Sequence, residues 1–212
     1  MLVIGGCVAS PAEGQSTPQF VRTTGTVSLL AAPMSLSGQC AAAAALVHFA
    51  VPCPKMVPSR DGVAMGCPSP VGAQLAPCVG LEGAIPYRVF FLNFAGFDVP
   101  QSYNGVGGRP IRDLLVEARP LSDSPRLPCF GGVRAGQVLI SPWRGTVFVC
   151  PKDSVAIQRE ARHGQGSTTG HILIEWKDNG IDYMASAYGH TTTNIRLLEK
   201  LVASITLVQP GS

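Results

Sequence analysis

Asp178-Asn179-Gly180 lies between two runs of β-forming residues, Gly170-His-Ile-Leu-Ile-Glu-Trp-Lys177 and Ile181-Asp-Tyr-Met-Ala-Ser-Ala-Tyr188, and restricts the fold more than any other stretch. Asn-Gly tolerates positive φ at both centres of a type I′ turn, so the sequence predicts a β-hairpin here. Strand alternation places His171, Leu173, Glu175 and Lys177 on one face and Ile172, Ile174 and Trp176 on the other, so His171 and Glu175 are expected on the less buried side. On the partner strand Ile181, Tyr183, Ala185 and Ala187 oppose Asp182, Met184, Ser186 and Tyr188. Trp176 and Tyr183 are expected to meet across the hairpin as core. Downstream, Asn194 to Ile205 sets Ile195, Leu198, Leu201, Val202 and Ile205 on one face of an amphipathic helix capped by Thr193. That stripe must lie on a sheet, and the adjacent hairpin is the obvious surface.

Upstream, Thr26 to Ala32 reads as a short strand. Ser37 to Ala50 reads as a helix, with Ser37 capping an alanine run that stops before Pro52. Val51-Pro-Cys-Pro-Lys-Met-Val-Pro58 must run extended, along a surface or a sheet edge. Ser59 to Gly83 is a Gly- and Pro-rich loop. Pro86 to Phe94 and Ile111 to Ala118 are strands, the first of them central because its middle is apolar on both faces. Gln137 to Ser141 and Gly145 to Cys150 are shorter strands around Pro142-Trp143-Arg144, and Lys152 to Gly170 is a polar connection with a helical turn near Val155. Gly105-Val-Gly-Gly108 lacks the Lys-Ser/Thr of a phosphate-binding loop. The expectation is an α+β fold: a curved antiparallel sheet with a packed C-terminal amphipathic helix, stabilised by disulfides.

With 14% charged residues, 24 Gly and 18 Pro, the 212-residue chain suits a loop-rich β protein. Its net charge of +3 is scattered and not interleaved with aromatics, which excludes a nucleic-acid partner. None of the 7 cysteines forms a Cys-x-x-Cys pair, which argues against structural zinc or a redox dithiol motif. With Cys7 set aside, Cys40, Cys53, Cys67, Cys78, Cys129 and Cys150 make an even set consistent with disulfides in an oxidising compartment. Cys129 with Cys150 is the one pairing that strand geometry suggests, two short strands and a turn bringing the ends together. Buried free thiols in a reducing cell are the alternative.

Met1-Leu-Val-Ile-Gly-Gly-Cys7 reads as the truncated end of a lipoprotein signal, in which Cys7 would carry the lipid, although the basic region and most of the apolar region are missing; the alternative is that Met1 is the genuine start and Cys7 an ordinary residue. Residues 8–25 then form a flexible tether, and 26–212 one α+β domain with a Gly/Pro-rich insert near 59–84.

Chemical candidates are loose parts. His163, His171 and His190 lie near Glu175, Asp182 and Ser186, and a cross-strand meeting of His171 with His190 beside Glu175 would supply a polar or metal site. No catalytic residue is assigned, and no cofactor is expected.

The pattern Gly170-His-Ile-Leu-Ile-Glu-Trp-x-x-x-Gly180-Ile-Asp-Tyr183, followed by a helix ending Leu201-Val-Ala-Ser-Ile205, resembles the C-terminal signature of a bacterial domain family of unknown function found in extracytoplasmic lipoproteins and anti-sigma-associated membrane proteins. Phe49-Ala-Val-Pro-Cys-Pro-Lys-Met-Val-Pro58 is similar to its entry segment, so the resemblance runs loosely from Phe49 to Val208. Trp176, Gly180 and Tyr183 carry it as structural residues. The family is similar in turn to lipoprotein-carrier folds, in which a curved sheet wraps a helix and holds an acyl chain. The resemblance implies an exported, membrane-anchored lipoprotein of the cell envelope, a non-catalytic module whose partners are the membrane, through its lipid, and a small apolar ligand or envelope protein. The alternatives are an extracytoplasmic enzyme or metal-binding protein using His171 and His190, and a sensor domain of an anti-sigma-type system.

Overall fold

The computed structural model describes residues 27–60, 63–64, 78–94, 114–123, 129, 132–151 and 170–211. In chain order the elements are β1 (Val27–Ala31), α1 (Met34–Val47), β2 (Val51–Pro54), β3 (Met56–Arg60), β4 (Val63–Ala64), β5 (Cys78–Glu82), β6 (Val89–Phe94) and β7 (Leu114–Pro120). After a 3₁₀ turn at Leu121–Asp123 come β8 (Val133–Ile140), β9 (Trp143–Val149), β10 (His171–Asp178), β11 (Ile181–Tyr188), α2 (Thr192–Ala203) and β12 (Ile205–Val208). The architecture is α+β. One antiparallel sheet of 7 strands, ordered β5-β6-β7-β11-β10-β9-β8, is joined by a 3-stranded sheet, β1-β3-β4, and a 2-stranded one, β12-β2.

The hairpin forms where Asn-Gly requires it. Asp178 pairs with Ile181, leaving Asn179 and Gly180 as the two-residue loop, and both take positive φ, 47° and 77°, as a type I′ turn demands. This places β11 in the middle of the large sheet, between β10 and β7. A central strand is covered on both faces, and all eight residues of β11 are buried. Each face has its own core. One carries Phe90, Leu92, Phe94, Val116, Ile174, Trp176, Tyr183 and Ala185, in one cluster with Leu36, Cys40 and Val47 of α1 and Leu198, Leu201 and Val202 of α2. The other carries Leu115, Phe148, Leu173 and Met184, clustered with Cys129 and Cys150. At roughly 25 cal/mol per Å² of apolar surface removed from water, the first of these is the main source of stability.

Two disulfides tie these parts together. Cys40–Cys53 joins α1 to β2 across the main core. Cys129–Cys150, the pairing expected from the strands, lies in the second cluster.

Several elements differ from the sequence expectation. The first helix starts at Met34 after Pro33, and the Ser37 hydroxyl donates to Met34 O within its first turn rather than capping it. The helix closes on His48, whose left-handed φ of 60° lets its N–H reach Ala44 O. The Pro-rich run at 51–58 is extended and β2 lies at a sheet edge, as expected, pairing with β12, but β2 is buried throughout and not on the surface. The 59–84 insert is not all loop, since β4 pairs with β3 and β5 forms an edge of the large sheet. Trp143 is a strand residue paired with Ile140, so the turn is Ser141-Pro142 alone. The second helix is capped by Thr191, whose hydroxyl accepts from Asn194 N, and Ile205 leaves it to pair with Pro54. Leu197 takes the buried place expected of Ile195, and Asn194 joins it. Asn194 is satisfied there, its amide donating to Tyr188 O and Gly189 O at 2.8 Å. Cys7, Cys67, His163, residues 8–25, the helical turn near Val155 and Ile111 to Asp113 lie outside the described residues. No helix among the described residues is long and apolar enough to cross a membrane.

Candidate functional site

The second face of the large sheet carries its polar chemistry, in rows fixed by strand register. Asp182 of β11 is paired on one side with Arg119 of β7 and on the other with Lys177 of β10. One row further along, Met184 lies between Glu117 and Glu175. A row of cation, anion, cation thus lies beside a row of anion, methionine, anion. Arg119 bridges back to Glu117, and Lys177 Nζ lies 3.3 Å from Glu175 Oε1. Beyond Glu117 in the second row, the Phe91 ring lies directly over Gly80, where any Cβ would collide with it.

These charges are largely withdrawn from water. The side chains of Glu117 and Glu175 are 8% and 12% exposed, that of Arg119 25%, and only Lys177 is open at 55%. Removal from solvent disfavours an ionised group unless a partner compensates it. Burial holds the Arg119 guanidinium below its ordinary range, against the attraction of Asp182, Glu82 and Asp123. Burial also pushes the Glu175 carboxyl up, and the negative charge of Asp182 and a hydrogen bond to it act in the same sense, with Lys177 pulling the other way.

The next rows place the remaining sequence candidates. Leu115, Ser186 and Leu173 form one, with the Ser186 hydroxyl fully buried and hydrogen-bonded to no described residue. Past it His171 pairs with Tyr188, the two rings edge to face with centroids 5.4 Å apart. His171 is therefore buried, at 0% exposure, not on an open side of the sheet. The parity expected for it is right, but on this face it is fully buried. His190 follows beyond the end of β11 and is exposed. His171 and Glu175 are four residues apart on one strand, about 13 Å by strand rise, and no three His, Cys, Asp or Glu side chains among the described residues converge as a metal would require. Glu117 and Arg119 are the members that sequence reasoning missed. Their alternation within β7 marks them as sharing a face, but only the β7–β11 register brings them to the hairpin.

On the opposite face Trp176 and Tyr183 are register partners and stack at 5.4 Å with rings 12° from parallel. Trp143 adds a third ring at 5.8 Å. The Tyr183 hydroxyl donates to Ala50 O at 3.2 Å, tying the hairpin to the segment after α1, and burial pushes that phenol well above its usual range. This aromatic stack belongs to the main core.

A scan of protein-family models found no match to the chain, and searches of curated proteins and of solved structures found none either. The charged rows fix strand pairing electrostatically, and the aromatic face supplies packing.

Proposed function

We propose that this chain is exported and acts as a non-catalytic binding or envelope-associated module, held at the membrane by lipid on Cys7. The observation that supports it best is the pair of buried disulfides, Cys40–Cys53 and Cys129–Cys150, because structural disulfides persist in oxidising compartments and are rare in reducing ones. In this reading the large sheet curves over the two helices, the C-terminal helix packs on its hairpin, and the outer surface is presented to a small apolar ligand or an envelope protein. Among the six body cysteines the two observed bonds leave one pairing, Cys67 with Cys78, and we expect it to form as well.

The test is a thiol count with fractionation. Protein isolated from its host, denatured without reductant and treated with an alkylating reagent, is expected to stay unmodified at Cys40, Cys53, Cys129 and Cys150. The full chain is expected in the detergent phase of a phase separation, and Cys7→Ala in the aqueous phase. Alkylation of all body cysteines without reduction would overturn export. An unchanged partition of Cys7→Ala would overturn the anchor alone.

A further inference from the structure

The two outer strands of the large sheet are built differently. At one edge, β5 is half-buried at Val79, Gly80 and Leu81 and lies against α1. At the other edge, every residue of β8 from Val133 to Gln137 is exposed. Successive strand residues point to opposite faces, so this unbroken run means that both faces of β8 are open, and among the described strands none pairs with its outer side. An antiparallel edge strand turns every second N–H and C=O outward, a template for a further strand. Against that β8 has one device, the bulge between Arg134 and Gly136, and from Gly136 to Ile140 its pairing with β9 is regular. Leu139, in the regular part, is 78% exposed.

This edge is also cationic. β8 and β9 contain Arg134 and Arg144 and no acidic residue. Register puts both arginines on the second face of the sheet, Arg134 opposite Phe148 and Arg144 opposite Leu139. Both are exposed, and neither has an ion-pair partner among the described residues. The acids of this face, Glu175, Asp182 and Glu117, lie farther into the sheet. We propose that β8 is a docking edge for an extended acidic segment of a partner protein, which adds to the sheet beside β8 and sets its acidic side chains over Arg134 and Arg144. In strand addition, backbone hydrogen bonds carry affinity and alternate side chains carry specificity. The two arginines stand about 13 Å apart along the strands, the length of four residues, so they select a segment with acids on alternate positions of one face. A second copy of the chain is the poorer occupant, because it would gather the arginines of both copies on one shared edge with no acid to face them. The proposal gives a partner class to the binding reading above, on which it rests, and needs neither export nor lipid on Cys7.

The probe is a labelled synthetic peptide of alternating glutamate and valine, long enough to span β8, added to the full chain and followed by fluorescence anisotropy, with amide hydrogen exchange read along β8. Saturable binding is expected, with exchange slowed between Gly136 and Ile140. The double variant Arg134→Glu/Arg144→Glu is expected to bind about tenfold more weakly, and thermal unfolding to match wild type, since both side chains are exposed. A glutamate–proline peptide keeps the charge but lacks half of the N–H donors, and a lysine–valine peptide keeps the donors but reverses the charge. Neither is expected to bind. No binding of the glutamate–valine peptide, equal binding of either control, or undiminished binding by the double variant would overturn the docking edge. Binding with protection elsewhere than β8 would overturn the edge while leaving the chain a binding module. Protection of β8 that rises with protein concentration, without peptide, would show a second copy on the edge and overturn the acidic partner. Export is judged apart from all of these, by the thiol count.

Discussion

Removing the disulfides one at a time tests both the fold and the compartment argument. Cys40–Cys53 closes a loop with a sequence separation of 13 and Cys129–Cys150 one of 21. Cross-linking removes conformations from the unfolded chain in proportion to the logarithm of loop length, which gives about 2.9 kcal/mol for the first bond and about 3.3 kcal/mol for the second at 25 °C. All four cysteines are buried, none more than 7% exposed, so replacing a pair by alanine also leaves small cavities, adding about 1 kcal/mol. Cys40→Ala/Cys53→Ala and Cys129→Ala/Cys150→Ala should therefore each lose about 4 kcal/mol. The similarity is informative, because one bond spans the main core and the other the small cluster. Urea unfolding without reductant reads the loss directly, and the denaturant slope should rise in each variant as the unfolded chain gains exposed surface. A loss below about 1 kcal/mol for either pair, or unequal losses differing by more than about 2 kcal/mol, would refute the entropic account.

Gly180→Ala places a side chain at φ 77° and should cost about 1 kcal/mol by thermal unfolding, whereas Asn179→Gly should be near neutral. Trp176→Ala should cost about 3–5 kcal/mol in the same assay. Trp176→Phe should cost much less, because the indole N–H has no hydrogen-bond partner among the described residues and the ring stack is preserved. Thr191→Ala removes the α2 cap and should lose about 1 kcal/mol, with helical circular dichroism reduced before the sheet signal changes. The exposed Arg88–Asp123 pair gives stability a pH dependence of its own. The hydrogen bond from Arg88 holds the Asp123 carboxyl below its usual range, so its contribution is present above that range and lost as pH falls. Asp123→Asn and wild type should therefore differ at neutral pH and converge as pH falls below the ordinary carboxylate range.

The parts of this fold that were legible in sequence are those whose information is local. Asn179-Gly180 specifies its own turn, and strand alternation correctly separated Trp176 and Tyr183 from His171 and Glu175. Alternation says which residues share a face, but not whether that face is covered. His171 is fully buried on the face that reads as the less apolar one. Glu117 and Arg119 lie about sixty residues before the hairpin, and only a register joins them to Asp182. The helix ends were misplaced for similar reasons. Three successive threonines offer equal caps, and packing selects Thr191. Ile205 has the spacing of the helix but pairs with Pro54, a partner far away in sequence.

The pairing of β12 with β2 bears on how the molecule is made. Residues 205–208 bond to residues 51–54, and Lys55 N donates to Ser204 O at 3.0 Å. The Cys40–Cys53 bond thus fixes to α1 a strand whose neighbour comes much later in the chain. A chain emerging amino end first keeps β2 unpaired on that side until β12 arrives, and contacts of such long range are slow to form. The arrival of β12 therefore gates completion of this pairing. Cutting the chain before Ile205 should leave β2 an open edge, ready to take up a foreign strand in place of its own.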